Sequence, residues 1–175
     1  MAALLYLIDT LLSLVQLAFL LRLLLQWARA DFRNPLLRAI VQLTNPVLVP
    51  VRRAVPAIGR IDTASVLLVV AMAMLRVSMA PLLTGIGLPP VWLWIEQATL
   101  QLVSLVLWTY LFAIFLYAAL SLIAPGTYSP AQALLSSLCE PVLRPFRRVI
   151  PPLANLDLSP LWAIILIRAL LFLVQ

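Results

Sequence analysis

The sequence predicts an all-α integral membrane protein, with four transmembrane helices arranged as two parallel repeats of helix, amphipathic connection and helix. Three observations lead there. Apolar residues are 65% of the 175 positions and charged residues 10%, with a mean hydropathy of +1.12. A soluble domain carries about 25% charge and about half apolar residues at most. The apolar residues gather into four runs near the roughly 20 residues a spanning helix needs. Finally, PVLVPVRRAVP at 46–56 returns as PVLRPFRRVIP at 141–151.

The first span covers about 2–27 and is interrupted by Asp9 and Arg22. Ala28-Arg29-Ala30 after it resembles a cleavage site, but no basic segment precedes the run. The run is also far longer than the roughly 7–15 residues of a signal-peptide core, so it reads as a span. The second span covers about 64–83 and contains Arg76. The third covers about 91–123, with Glu96 near its start. The fourth, about 158–175, contains Arg168 and is only just long enough. Residues 1–83 form the first repeat, 84–90 a short loop, and 91–175 the second repeat.

Arginine asymmetry sets the expected orientation. Connection 28–63 holds Arg29, Arg33, Arg38, Arg52, Arg53 and Arg60, connection 124–157 holds Arg144, Arg147 and Arg148, and loop 84–90 holds none. Positive charge stays on the cytoplasmic side. Both long connections are therefore expected in the cytoplasm, with both termini and the loop outside, in a bacterial inner membrane.

At an offset of 95, eight of the 17 residues at 46–62 recur at 141–157 without a gap. They are Pro46, Val47, Leu48, Pro50, Arg52, Arg53, Pro56 and Asp62, matched by Pro141, Val142, Leu143, Pro145, Arg147, Arg148, Pro151 and Asp157. Pro35 also matches Pro130. Each unit enters from the same side, so the repeats are parallel. In each connection a first short amphipathic helix is expected. Leu36, Leu37, Ile40 and Leu43 lie opposite Arg38, Gln42 and Asn45, and Leu134, Leu135 and Leu138 lie opposite Gln132 and Ser136. Asn45-Pro46 and Glu140-Pro141 fit the cap and first position of a second short helix. Pro50 and Pro145 limit it, and Pro56 and Pro151 end it. The Arg pairs admit three readings: topology alone, anchoring to anionic lipid phosphates, or docking of a partner protein.

These motifs resemble the YggT (YlmG-like) family of small membrane proteins with two tandem repeats. The resemblance is carried by NPLLRAIVQLTNPVLVPVRRAVPAIGRIDTASVLL, by EPVLRPFRRVIPPLANLDLSP and by LLRLLLQWARADFRNP at the first-span exit. It implies an integral inner-membrane protein with two such units. It also implies loose links to osmotic stress and potassium uptake, to cell division or chromosome distribution, and to cytochrome complex assembly in plastids. It implies no catalytic residues.

A charge within a span costs about 2.5–3.5 kcal/mol, so each invites a partner. Asp9 and Arg76 lie at similar depth from the outer ends of their spans and are expected to pair. Glu96 is the candidate partner of Arg168, which otherwise reaches the outer headgroups alone. Arg22, near the inner end, is expected to snorkel. Asp9, Ser13 and Gln16 form a polar stripe, as do Gln97, Gln101 and Ser104. These stripes read as interhelical hydrogen bonds or as a hydrated path. Asp62 and Asp157 precede spans two and four and are expected as helix caps.

There is no His and no Lys, and one Cys, Cys139. No catalytic, metal or cofactor site is expected. The net charge of +6 is met by anionic lipid rather than nucleic acid. A non-enzymatic scaffold or assembly factor, with a membrane-protein partner or as a homo-oligomer, is the first functional expectation. Osmotic-stress-linked ion permeation through an oligomer is the second.

Overall fold

A computed structural model describes residues 2–55, 62–85, 87–123, 129–149 and 157–174. These residues form α1 (Ala2–Trp27), α2 (Pro35–Ala54), α3 (Thr63–Leu83), α4 (Val91–Ile123), α5 (Pro130–Val149) and α6 (Ser159–Val174). Among the described residues there is no strand. Among the described residues three helices are long and apolar enough to cross a membrane, namely α1, α3 and α4. The fourth apolar helix, α6, has 16 residues rather than the 18 expected. At about 1.5 Å per residue that is about 24 Å, short of a hydrocarbon core of about 30 Å. Outward-facing side chains such as Leu11, Leu67, Phe115 and Phe172 suit hydrocarbon surroundings rather than water.

Each connection contains one helix of 20 residues, not two short ones. The expected breaks at Pro46 and Pro141 do not occur, and Pro50 and Pro145 also lie inside their helices. In α2 the reason is geometric. Prolines four apart put both missing N–H bonds on one side, and Gln42, Pro46 and Pro50 all lie on the exposed face. The opposite seam, Leu37, Thr44 and Leu48, is buried and holds the helix through the gaps. Leu36 and Leu43, expected beside Leu37, are instead exposed.

The cap-and-proline device operates earlier in each connection. Asn34 Oδ1 accepts the Leu36 N–H at 2.9 Å, with Pro35 as the first helical residue. Ser129 Oγ accepts the Gln132 N–H at 3.1 Å, with Pro130 in the same place. Pro56 and Pro151, expected to end these elements, lie outside the described residues, as does Arg60.

α1 ends in a Schellman-type cap. Ala30 N–H donates to Leu25 O at 2.9 Å and Arg29 N–H to Gln26 O at 3.1 Å, with Arg29 at φ 55°. The turn after α3 uses Gly85 and Gly87 at φ 73° and 84°, where a Cβ is disfavoured.

The chain condenses into two compact units that divide it differently from the repeats. One comprises Met1–Leu23 and Ile40–Leu105, the other Leu24–Ala39 and Val106–Gln175. The first centres on Phe19, Leu20, Leu48, Ala64, Val69 and Ala73. In the second, Ser159, Ala163, Ile167 and Leu171 recur every four residues as the buried stripe of α6, against which α5 packs.

Candidate functional site: a duplicated polar node

The first arginine of each motif pair closes onto the aspartate ten residues later. In the first compact unit, Arg52 Nε lies 3.3 Å from Asp62 Oδ1 and Nη2 bonds Oδ2, while the Ser65 hydroxyl donates to Oδ2 at 2.7 Å. Asp62 stands at the N-cap position of α3, its carbonyl accepting Val66 N–H at 3.1 Å, but its side chain makes no cap hydrogen bond, contrary to the expected cap, because Arg52 and the Ser65 hydroxyl occupy the carboxylate. Asp62 is 2% exposed. Burial alone would raise its pKa, but the hydrogen bonds and charge of Arg52 and the Ser65 hydroxyl outweigh it and hold the carboxyl below its ordinary value.

In the second unit, Arg147 Nε donates to Asp157 Oδ2 at 2.9 Å, Nη1 to Glu140 Oε2 at 2.6 Å and Nη2 to the Tyr117 hydroxyl at 3.1 Å. Asp157 Oδ1 also accepts the Ser159 N–H at 2.9 Å, at the start of α6. Burial would lower the Arg147 pKa, but Asp157 and Tyr117 raise it overall. Asp157 is held low by Ser159 and Arg147 against the opposing effect of burial.

Tyr117 stands 95 residues after Arg22, and Glu140 the same distance after Asn45. Arg22 is buried and does not snorkel. Its Nη1 donates to Thr44 Oγ1 at 2.6 Å, Asn45 Oδ1 at 2.8 Å and Val41 O at 3.3 Å. These three oxygens on α2 satisfy the guanidinium without headgroups. Each repeat thus gathers four equivalent positions, 22/117, 45/140, 52/147 and 62/157, into a polar node, bonded through Arg147 in the second repeat and formed in the first by two pairs, Arg22–Asn45 and Arg52–Asp62, within electrostatic reach of each other. The node ties the helix before each connection (α1 or α4) to the amphipathic helix (α2 or α5), and that helix to the start of the next one (α3 or α6). Sequence reading found the Arg and Asp members but not their contact. It assigns Arg22 to the headgroups and Asn45 and Glu140 to helix caps instead, and does not single out Tyr117, although the same offset marks them.

The remaining motif arginines differ. Among the described residues Arg53, Arg144 and Arg148 are exposed and have no acidic partner. Within the second unit, Asn34 Nδ2 donates to Pro130 O at 2.6 Å. This bond brings the starts of α2 and α5 together around a cavity of about 240 Å3 lined by Asp31, Arg33, Asn34 and Ser137 among others.

Cys139 occupies the position equivalent to Thr44 and is buried. Burial pushes its thiol up to about 12. The native protein in mild detergent is therefore expected to resist maleimide at neutral pH and to react fully once denatured. Mass spectrometry of the labelled chain checks this.

A second polar cluster lies in the first unit, among the apolar helices. Arg76 Nε and Nη2 donate to the two carboxylate oxygens of Asp9 at 2.8 and 3.0 Å, and Nη1 donates to Gln16 Oε1 at 2.9 Å. Gln16 is fully buried and its Nε2 donates to Val69 O at 3.2 Å. With the Gln101 amide oriented to satisfy both ends, its oxygen accepts from Arg76 Nη1 and Nη2 at 3.2 and 3.3 Å, and its nitrogen donates to Ala73 O at 3.3 Å. The guanidinium is enclosed by acceptors from α1 and α4. Ser13 turns back to Thr10 O at 2.7 Å. Glu96 and Arg168 belong to different units. Glu96 is exposed, and within its own unit Arg168 lies 5.8 Å from the centre of the Trp108 ring. Among the described residues no group of His, Cys, Asp and Glu is arranged to hold a metal.

The sequence matches the CCB3/YggT family over residues 1–83 and 96–175. An uncharacterized protein of Pseudomonas aeruginosa is 39% identical over 170 residues, covering 95% of this chain and 85% of its own. The uncharacterized protein YggT of Escherichia coli K12 is 32% identical over 168 residues, covering 95% and 86%. An uncharacterized protein encoded in the proC 3' region of Vibrio alginolyticus is 37% identical over 163 residues, covering 89% and 84%. No solved structure matches.

Proposed function

The chain belongs to the CCB3/YggT family, and from that premise we propose that it is a non-enzymatic, multi-pass protein of the bacterial inner membrane, a scaffold or assembly factor. In this reading α1, α3, α4 and α6 span the membrane as two parallel repeats. α2 and α5 lie along the cytoplasmic face, and both termini are outside. Arg53, Arg144 and Arg148 meet anionic lipid phosphates. The Asn34–Pro130 bond supports the parallel arrangement, because it brings the starts of both amphipathic helices to one place.

The observation that carries the scaffold reading is the outer face of α2. Leu36, Leu43 and Val47 are 43%, 75% and 47% exposed. Their spacing of seven and four residues forms a helical stripe of the kind that receives a partner helix. The node fixes this helix rigidly while leaving that stripe free. Ion permeation is less well supported, since Asp9, Gln16, Gln101 and Arg76 satisfy one another.

A photo-reactive residue at Leu43 in native membranes tests the scaffold. The expected result is one recurrent membrane-protein partner, with capture lost when Leu36 and Val47 are both changed to Asn. Capture of lipid or of the same chain alone would overturn the reading.

A further inference from the structure

The two repeats differ at positions within and just beyond the motif, and the differences build a groove beside the second copy. Where the first repeat has Val49, Val51, Leu67 and Ala71, the second has Arg144, Phe146, Trp162 and Leu166. Pro145, Phe146 and Val149 of α5 face Trp162 and Leu166 of α6 across an open groove of about 530 Å3 without polar lining. That size falls within the roughly 300–1,000 Å3 of small-ligand sites. Arg144 and Arg148, four residues apart, form a ridge of α5 next to the ridge of Pro145 and Val149. Both arginines are exposed and without an acidic partner among the described residues. Arg147, on another side of the helix, is committed to its node.

We propose that this groove holds one anionic phospholipid, with an acyl chain along Phe146, Trp162 and Leu166 and the phosphate on Arg144 and Arg148. The lining offers no group to hydrogen-bond a peptide backbone, which argues against a protein segment. The uncompensated positive charge selects an anionic headgroup over a zwitterionic one. Trp162, near the start of α6, suits the headgroup boundary. The first repeat has Val49 in place of Arg144 and the smaller Val51, Leu67 and Ala71 in place of Phe146, Trp162 and Leu166, so the site occurs once per chain.

The site rests on the proposed placement of α5 along the membrane face. That placement is tested separately by labelling in cells, whereas lipid retention in detergent tests the site itself. The full-length protein is mixed with dioleoyl phosphatidylglycerol or dioleoyl phosphatidylcholine and examined by native mass spectrometry. One phosphatidylglycerol per chain is expected, retained in preference to phosphatidylcholine. Arg144→Val with Arg148→Gln should weaken retention about twenty-fivefold, at about fivefold per arginine. Trp162→Ala should also weaken it, and the first-repeat change Leu67→Ala should not. Equal retention of both lipids, or full retention by the double arginine variant, would overturn the proposal.

Discussion

Arg76→Leu is expected to lower the thermal midpoint of the purified protein by about 6–12 °C. The substitution leaves the Asp9 carboxylate without its counter-charge and removes the hydrogen-bond donors of Gln16 and Gln101. An unpaired charge at spanning depth costs about 3 kcal/mol, and each kcal/mol moves the midpoint by about 2–4 °C at this chain length. Asp9→Leu combined with Arg76→Leu should recover most of the loss, because an apolar pair needs no compensation. Exchange of the charges, Asp9→Arg with Arg76→Asp, should restore accumulation that Asp9→Arg alone abolishes. A midpoint unchanged in Arg76→Leu would mean that the cluster adds nothing to the fold.

The second large effect falls on the aspartates of the nodes, and the two copies should respond unequally. Asp62 is 2% exposed and the Asp157 side chain 41%. Asp62→Asn removes a buried charge from Arg52 and should cost about 2 kcal/mol, or about 4–8 °C. Asp157→Asn should cost less than about 1 kcal/mol, since water or headgroups can replace the carboxylate and Arg147 keeps Glu140 and Tyr117. Both carboxyls have folded pKa values below their ordinary ones. Their contribution is therefore fully present above an unfolded pKa of about 3.9 and is lost as pH falls through the folded values. Acid titration of the midpoint should show a steeper loss for the native chain than for Asp62→Asn below about pH 4. Arg147, whose pKa is raised, contributes throughout the neutral range. Equal effects of the two Asn variants would contradict the different burial of the nodes.

Much of the fold was legible because apolar runs and the offset of 95 are one-dimensional signals. The bounds of α1 and α4 follow from long, predominantly apolar runs broken only by Asp9 and Arg22 or by Glu96. The connections were misread at Pro46 and Pro141, because a proline's cost depends on which face loses its bonds, and only packing defines that face. The contact between Arg52 and Asp62 was hidden for a similar reason. Ten residues of intervening chain can bring two side chains together or hold them apart, and local spacing does not decide which. Arg22 was read as snorkelling because its acceptors, Thr44 and Asn45, lie on another helix. The identity of positions 22 and 117 as node members was available from the offset, but Arg and Tyr are too unlike to register as a match.

The measurement that tests the account most directly is sidedness labelling of single added cysteines at Ala39, Val149 and Leu88 in intact cells, with buried Cys139 as the silent control. Two parallel repeats predict that the Ala39 and Val149 sites react only with a membrane-permeant maleimide and that the Leu88 site reacts with an impermeant one. Opposite sidedness of Ala39 and Val149 would contradict the account, because the two nodes would then face different sides of the membrane.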